Sequence, residues 1–163
     1  MAHPTSLREE LRWTNLGLAV DGVEWLNGDS QWRDDGIAGL LGVGIRYWFR
    51  PVESLALLLR RPVSALALWD ATMRDRATVG LGGSDAHARL ATGVEDDGYA
   101  DGIEVRFPWY ETLFRTYGLR VELDRIFSGN AIDDASHLVT QLKAGRVFTA
   151  VDAVARPVHF LFS

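Results

Sequence analysis

Thr78-Val79-Gly80-Leu81-Gly82-Gly83-Ser84-Asp85-Ala86-His87-Ala88 carries an apolar strand into a pair of glycines and then delivers an aspartate and a histidine two residues apart. Residues i and i+2 of an extended segment project to the same side. A carboxylate and an imidazole can therefore share one ion, while Gly82 and Gly83 let the backbone turn and approach closely. Mixed oxygen and nitrogen donors suit zinc, manganese or iron better than calcium. The same residues also read as a helix start, with Ser84 or Asp85 capping a short helix from Ala86 and His87 an ordinary exposed residue. Spacing alone leaves both readings open.

The surrounding composition narrows the chemistry. A chain of 163 residues with nearly half of them apolar can bury one core, and its length predicts a single domain over 1–163. Its net charge of -5, with arginines scattered among acidic residues, gives no footprint for nucleic acid. With no cysteine, disulfides, thiolate zinc sites and cysteine nucleophiles are excluded, so any metal must be held by His, Asp and Glu. The N-terminus lacks the basic and apolar blocks of a signal peptide. The longest apolar run, 55–68, is interrupted by Arg60, Arg61 and Pro62, too soon to cross a bilayer. No membrane partner is expected, and the chain as written is expected in the cytoplasm, with the location of any longer parent left open. A serine triad lacks its Gly-x-Ser-x-Gly elbow.

Along the chain, Ser6 is placed to cap a helix over 7–18 with Glu9 at the capping-box position. A short strand follows over 23–26, then Asn27-Gly28-Asp29-Ser30 as a turn opening a site-lining loop. In that loop Arg33 is the candidate substrate-binding residue, since its planar fork suits phosphate or carboxylate; the competing reading is a surface ion pair with Asp34 or Asp35. Residues 36–74 read as helices broken by Pro51 and Pro62. Tyr47-Trp48-Phe49 reads as packing. A strand over 77–81 presents Asp85 and His87, and the acidic stretch 93–102 lacks the ligand pattern of a calcium loop. A short helix after Pro108, a strand over 119–123, and a helix capped by Asn130 and ended by Gly145 complete the alternation. That helix carries Ile132, Ala135, Leu138, Val139 and Leu142 as its apolar stripe, with His137 at the rim. Strands over 147–151 and 158–162 close the chain. The alternation argues for an α/β architecture with parallel pairing.

Gly82-Gly83-Ser84-Asp85-Ala86-His87-Ala88 resembles the late metal-binding segment of the PHP family, the polymerase and histidinol phosphatase superfamily. Ala2-His3-Pro4 is similar to a segment that in this family sits at a strand end with its histidine as a metal ligand. Residues 22–27, Gly-Val-Glu-Trp-Leu-Asn, are similar to a family strand reading Gly-hydrophobic-Glu-aromatic-hydrophobic-Asn. Gly129-Asn130-Ala131 and Gly145-Arg146-Val147-Phe148 match loosely. The resemblance implies a distorted (β/α)7 barrel with ligands on loops at the C-terminal ends of its strands. It implies that His3, Asp85 and His87 converge on a multinuclear site for divalent ions, zinc, manganese or iron. Asp85 and His87 would be catalytic, hydrolysing phosphate esters or related bonds of a small molecule. Glu24 is either a buried strand carboxylate or a site residue.

This family opens with a strand bearing His-x-His, and here the only histidines are His3, His87, His137 and His159. The chain is therefore expected to be the C-terminal half of such a barrel with an added terminal β pair, a fragment with little activity alone. The alternative is a non-catalytic binding or structural half-barrel that pairs with another chain. Homodimerisation and pairing with an N-terminal half are the expected assemblies.

Overall fold

The computed structural model describes residues 1–7, 9–34, 36–87, 90, 91 and 104–155, and only the backbone for 32–34, 36–41, 90, 91, 104 and 105. In chain order the elements are β1 (Gly22–Asn27), α1 (Gly28–Asp34), α2 (Gly36–Tyr47), α3 (Pro51–Ala56), α4 (Val63–Asp75) and β2 (Val79–Gly83). There follow β3 (Leu90–Ala91), β4 (Glu104–Val105), α5 (Tyr110–Thr116), β5 (Gly118–Val121), α6 (Ala131–Lys143) and β6 (Val147–Ala150). The second strand of the expected terminal pair, 158–162, lies outside the described residues, as does the acidic stretch 93–102.

β1 and β2 pair in parallel, with Gly22 opposite Val79 and Asn27 opposite Gly83. A parallel pair cannot be joined by a tight turn and needs a crossover, which the helices α1 to α4 supply. Helix α4 seals this pair: the Trp69 indole N–H donates to the Thr78 carbonyl at 2.8 Å. Its ring lies so close over Gly80 that any Cβ there would overlap it. Pairing is not parallel throughout. β5 and β6 run antiparallel although α6 lies between them, because Gly145, at φ 74°, turns the chain straight back after the helix and Arg146 accepts from the Glu122 N–H. β3 and β4 are also antiparallel. Among the described residues there are three two-stranded sheets and no closed barrel.

The apolar core sits where the helices meet. Val43 and Tyr47 of α2, Leu55 and Leu58 from α3 and just beyond it, and Leu113 of α5 form one buried cluster, with Ala86 and Phe107 packed against it. The Tyr47 hydroxyl donates to Thr112 Oγ1 at 3.1 Å and accepts the Trp109 N–H at 2.9 Å, so its polar tip is satisfied inside the core. Trp48 and Phe49, read with Tyr47 as packing, are instead largely exposed.

Three helix readings change. Among the described residues of 7–18 there is no α-helix, and a 3-10 turn at Glu9–Leu11 stands in its place. Asn15 and Gly17 are poor helix formers, and a short helix without a packed face is marginal in water. The presumed turn at 27–30 is the capped start of α1, since Asn27 Oδ1 accepts the Ser30 N–H at 2.9 Å. Asn130 does cap α6, accepting from the N–H groups of Ile132 and Asp133. Yet the face that α6 buries carries His137 and Gln141, while Ile132 and Val139 stay exposed. No helix of the described residues is long and apolar enough to cross a membrane.

The core assignment predicts that Leu113→Ala costs about 2–5 kcal/mol, whereas Ile45→Ala stays within about 0.5 kcal/mol; urea denaturation of both variants measures the contrast. A second expectation concerns acid. The Ser128 backbone N–H, with the Ser128 hydroxyl, the Gly129 N–H and Arg125, holds the Asp134 carboxyl below the usual carboxylate range. Its stabilising effect is fully present above the ordinary carboxylate pKa and is lost as pH falls through the lower folded value. Asp134→Asn is therefore expected to lower Tm at neutral pH and to converge with wild type only once pH has fallen below the lowered folded value.

Candidate metal centre

The β1–β2 register decides which side chains meet. Because Asn27 lies opposite Gly83, the residues that leave the two strands, Gly28-Asp29 and Ser84-Asp85, emerge side by side. One oxygen each of Asp29 and Asp85 and a ring nitrogen of His87 lie within 4.8 Å of one another. Asp29 is fully buried, Asp85 is partly buried and His87 is exposed, so the group runs from the interior to the surface.

Asp85 is the hub. Its Oδ1 lies 3.1 Å from His87 Nε2 and its Oδ2 lies 3.5 Å from His3 Nε2. The Asn27 amide donates to Oδ2 at 3.2 Å. The sequence-based set of His3, Asp85 and His87 is thus brought together around the Asp85 carboxylate, although His3 stands 82 residues before Asp85 in the chain.

Glu24 belongs to this group as a support. Its Oε2 accepts the His3 backbone N–H at 2.8 Å and stands 3.8 Å from His3 Nδ1, while its Oε1 accepts from the Asn27 amide at 3.0 Å. His3 thus turns Nε2 to Asp85 and Nδ1 toward Glu24, the latter at 3.8 Å, too long for a hydrogen bond. His3 Nδ1 is buried and makes no hydrogen bond. The two carboxylates and one imidazole of Asp29, Asp85 and His87 are a donor set that fits a divalent transition ion, with His3 on the other oxygen of Asp85.

Backbone conformation marks the same residues. Among the described non-glycine residues, only His3 and Asp85 have positive φ, 48° and 44°, a region that costs a side chain of order 1 kcal/mol or more unless its surroundings enforce it. Those surroundings are visible. Ala86 packs on the apolar cluster and the Tyr110 hydroxyl donates to the His87 carbonyl at 3.0 Å, so the chain is held between the two ligands and just after the second. Asp85 and His87 therefore sit on an irregular segment beyond β2, and the competing picture of a helix starting at Ala86 does not apply.

Below the carboxylates lies Tyr117, buried, its hydroxyl donating to the Gly83 carbonyl. Burial first, then the charges of Glu24, Asp85 and Asp29, push this hydroxyl far above its usual pKa. It keeps its proton. Beside His3 a cleft of about 160 Å³ opens toward Asn27, Ser30, Gln31 and Ser64.

Other candidates fall elsewhere. The Arg33 backbone lies in α1, but its side chain lies outside the described residues, as does His159. His137 is buried and not at the rim, and it has a partner: its Nε2 stands 3.3 Å from Asp124 Oδ1, in the loop before α6. Asp29 and Tyr117 were missed by sequence reasoning. Asp29 carried a usable signal, a carboxylate two residues past the end of a strand parallel to the one that presents Asp85. Tyr117 carried none, because only tertiary packing brings it beneath the site. No family model, curated protein or solved structure matches the chain.

Removing the carboxylate charge at either position tests the grouping. Asp29→Asn and Asp85→Asn are each expected to weaken zinc binding roughly tenfold or more in calorimetric titration. An unchanged isotherm for Asp29→Asn removes Asp29 from the centre.

Proposed function

We propose that the chain is the metal-binding portion of a hydrolase similar to the PHP family, acting on phosphate esters or related bonds of a small molecule. In this reading the fold is the C-terminal half of the family's distorted barrel, and His3, Asp29, Asp85 and His87 hold divalent ions, zinc, manganese or iron. One observation carries it: Asp85 turns one carboxylate oxygen to His87 and the other to His3, as a carboxylate shared between two ligand sets does. Bound there, such ions supply an activated water and positive charge beside the leaving oxygen.

The chain's own residues divide the remaining work. Asn27 and Glu24 hold Asp85 and His3 in place. Exposed His87 stands where an ester can approach from solvent, and the cleft beside His3 gives room for the body of the substrate. Arg33, four residues after Asp29 in α1, is proposed as the clamp on the anionic group. Four protein donors leave coordination positions open, so the chain alone is a weak catalyst that a second chain or an N-terminal half completes.

A second reading, a non-catalytic half-barrel that pairs with another chain, is favoured by the surface. Ile45, Trp48, Phe49 and Val63 are each more than two-thirds exposed, and sheets of two strands leave edges that invite pairing. No nucleic-acid or membrane partner is proposed.

Hydrolysis separates the two. With manganese and a generic phosphate ester, the chain alone is expected near background, and fusion to an N-terminal PHP half bearing His-x-His is expected to restore turnover. His87→Ala should then abolish it with the fold intact, since a ligand beyond a strand end serves the ion and not the packing. A well-folded fusion that binds metal but stays inactive favours the non-catalytic reading.

A further inference from the structure

The β1–β2 ladder ends at Asn27 and Gly83, so main-chain pairing alone does not fix Asp29 relative to Asp85. Something else must hold the two carboxylates within reach of one ion. Tyr117, at the C-terminal end of α5, occupies that position. The residue is buried, and it lines a small apolar cavity together with Leu55, Leu58 and Leu113. Its hydroxyl donates to the Gly83 carbonyl, the last of β2. On the other side Gly28 comes so close that a Cβ there would overlap both the Tyr117 hydroxyl and the Ser84 carbonyl oxygen. Three segments, 27–29, 83–85 and 117, therefore meet at one hydroxyl group.

We propose that Tyr117 is a positioning residue of the metal centre: its hydroxyl, bonded to Gly83 and seated against Gly28, sets the separation of Asp29 and Asp85. The proposal rests on the metal-binding reading above and deepens it. Phenylalanine keeps the same buried ring, so Tyr117→Phe removes the bond while keeping the packing. The Gly83 carbonyl then loses its partner, and the strained turn at Asp85 loses the constraint two residues before it.

The test uses the full, tag-free chain and zinc as probe, with Tyr47→Phe as the matched control. Tyr47 is also a buried tyrosine with its hydroxyl satisfied, but in the helical core away from the carboxylates. Tyr117→Phe is expected to weaken zinc binding about tenfold, the scale of losing an outer-shell partner, whereas Tyr47→Phe lowers Tm and leaves zinc affinity unchanged. Gly28→Ala, whose Cβ would displace the hydroxyl together with the Ser84 carbonyl, should weaken zinc binding as well, and it carries the test if Tyr117→Phe fails to fold. Wild type binding zinc with both site variants unchanged overturns the positioning role alone, as does an equal loss in Tyr47→Phe. Wild type failing to bind zinc overturns the metal reading, and the positioning role with it.

Discussion

Parallel pairing of β1 with β2 in one particular register is the constraint on which the candidate centre depends. The ladder sets Asn27 against Gly83, so the two chains leave the strands together, one toward Asp29 and the other toward Asp85. A shift by one residue would turn alternate side chains to the opposite face and would separate Asn27 from Asp85. The register is itself enforced by packing. Trp69 lies flat over Gly80 and bonds the Thr78 carbonyl, a contact that admits only glycine at that point of β2. A helix that the sequence marks merely as amphipathic thus helps to place the carboxylates.

Local strain is concentrated at the two residues that this account makes ligands. His3 and Asp85 both occupy the left-handed region, and each is opposed by interactions of longer range: the Glu24 carboxylate on the His3 N–H, the Asn27 amide on Asp85. The segment is also held by Ala86, which lies between the two ligands and packs on the core cluster, and by Tyr110 on the His87 carbonyl. Glu24 and Asn27 sit three residues apart on one strand and hydrogen-bond each other. A single short strand therefore supplies the support for both strained residues, which links the stability of β1 to the geometry of the site.

Legibility in the sequence followed the range of the interaction involved. Helix breaks at Pro51 and Pro62 and the cap at Asn130 depend on neighbours within a turn, and these were readable. The nearness of Asp85 to His87 was expected from an extended chain, but Asp85 is left-handed, and the two meet at 3.1 Å across an irregular turn instead. The link from His3 to that pair came from the resemblance of Ala2-His3-Pro4 to a family segment and not from any local rule. What the sequence hid was set by tertiary contact: Asp29 drawn into the group by the register, Tyr117 beneath it, and the burial of His137 against Asp124. The absence of an α-helix among the described residues of 7–18 has the same origin, since the apolar residues there find no face to cover. Antiparallel pairing of β5 with β6 was equally out of reach, because strand and helix alternation reports the presence of elements and not their direction.

The central claim is that Asp29, Asp85, His87 and His3 form one metal centre, and anomalous diffraction from crystals grown with zinc tests it most directly. The account predicts anomalous density between the Asp29 and Asp85 carboxylates and His87 Nε2, with His3 on the far side of the Asp85 carboxylate. Zinc density confined to other surface sites, with these four side chains bonded only to one another or to water, would contradict it.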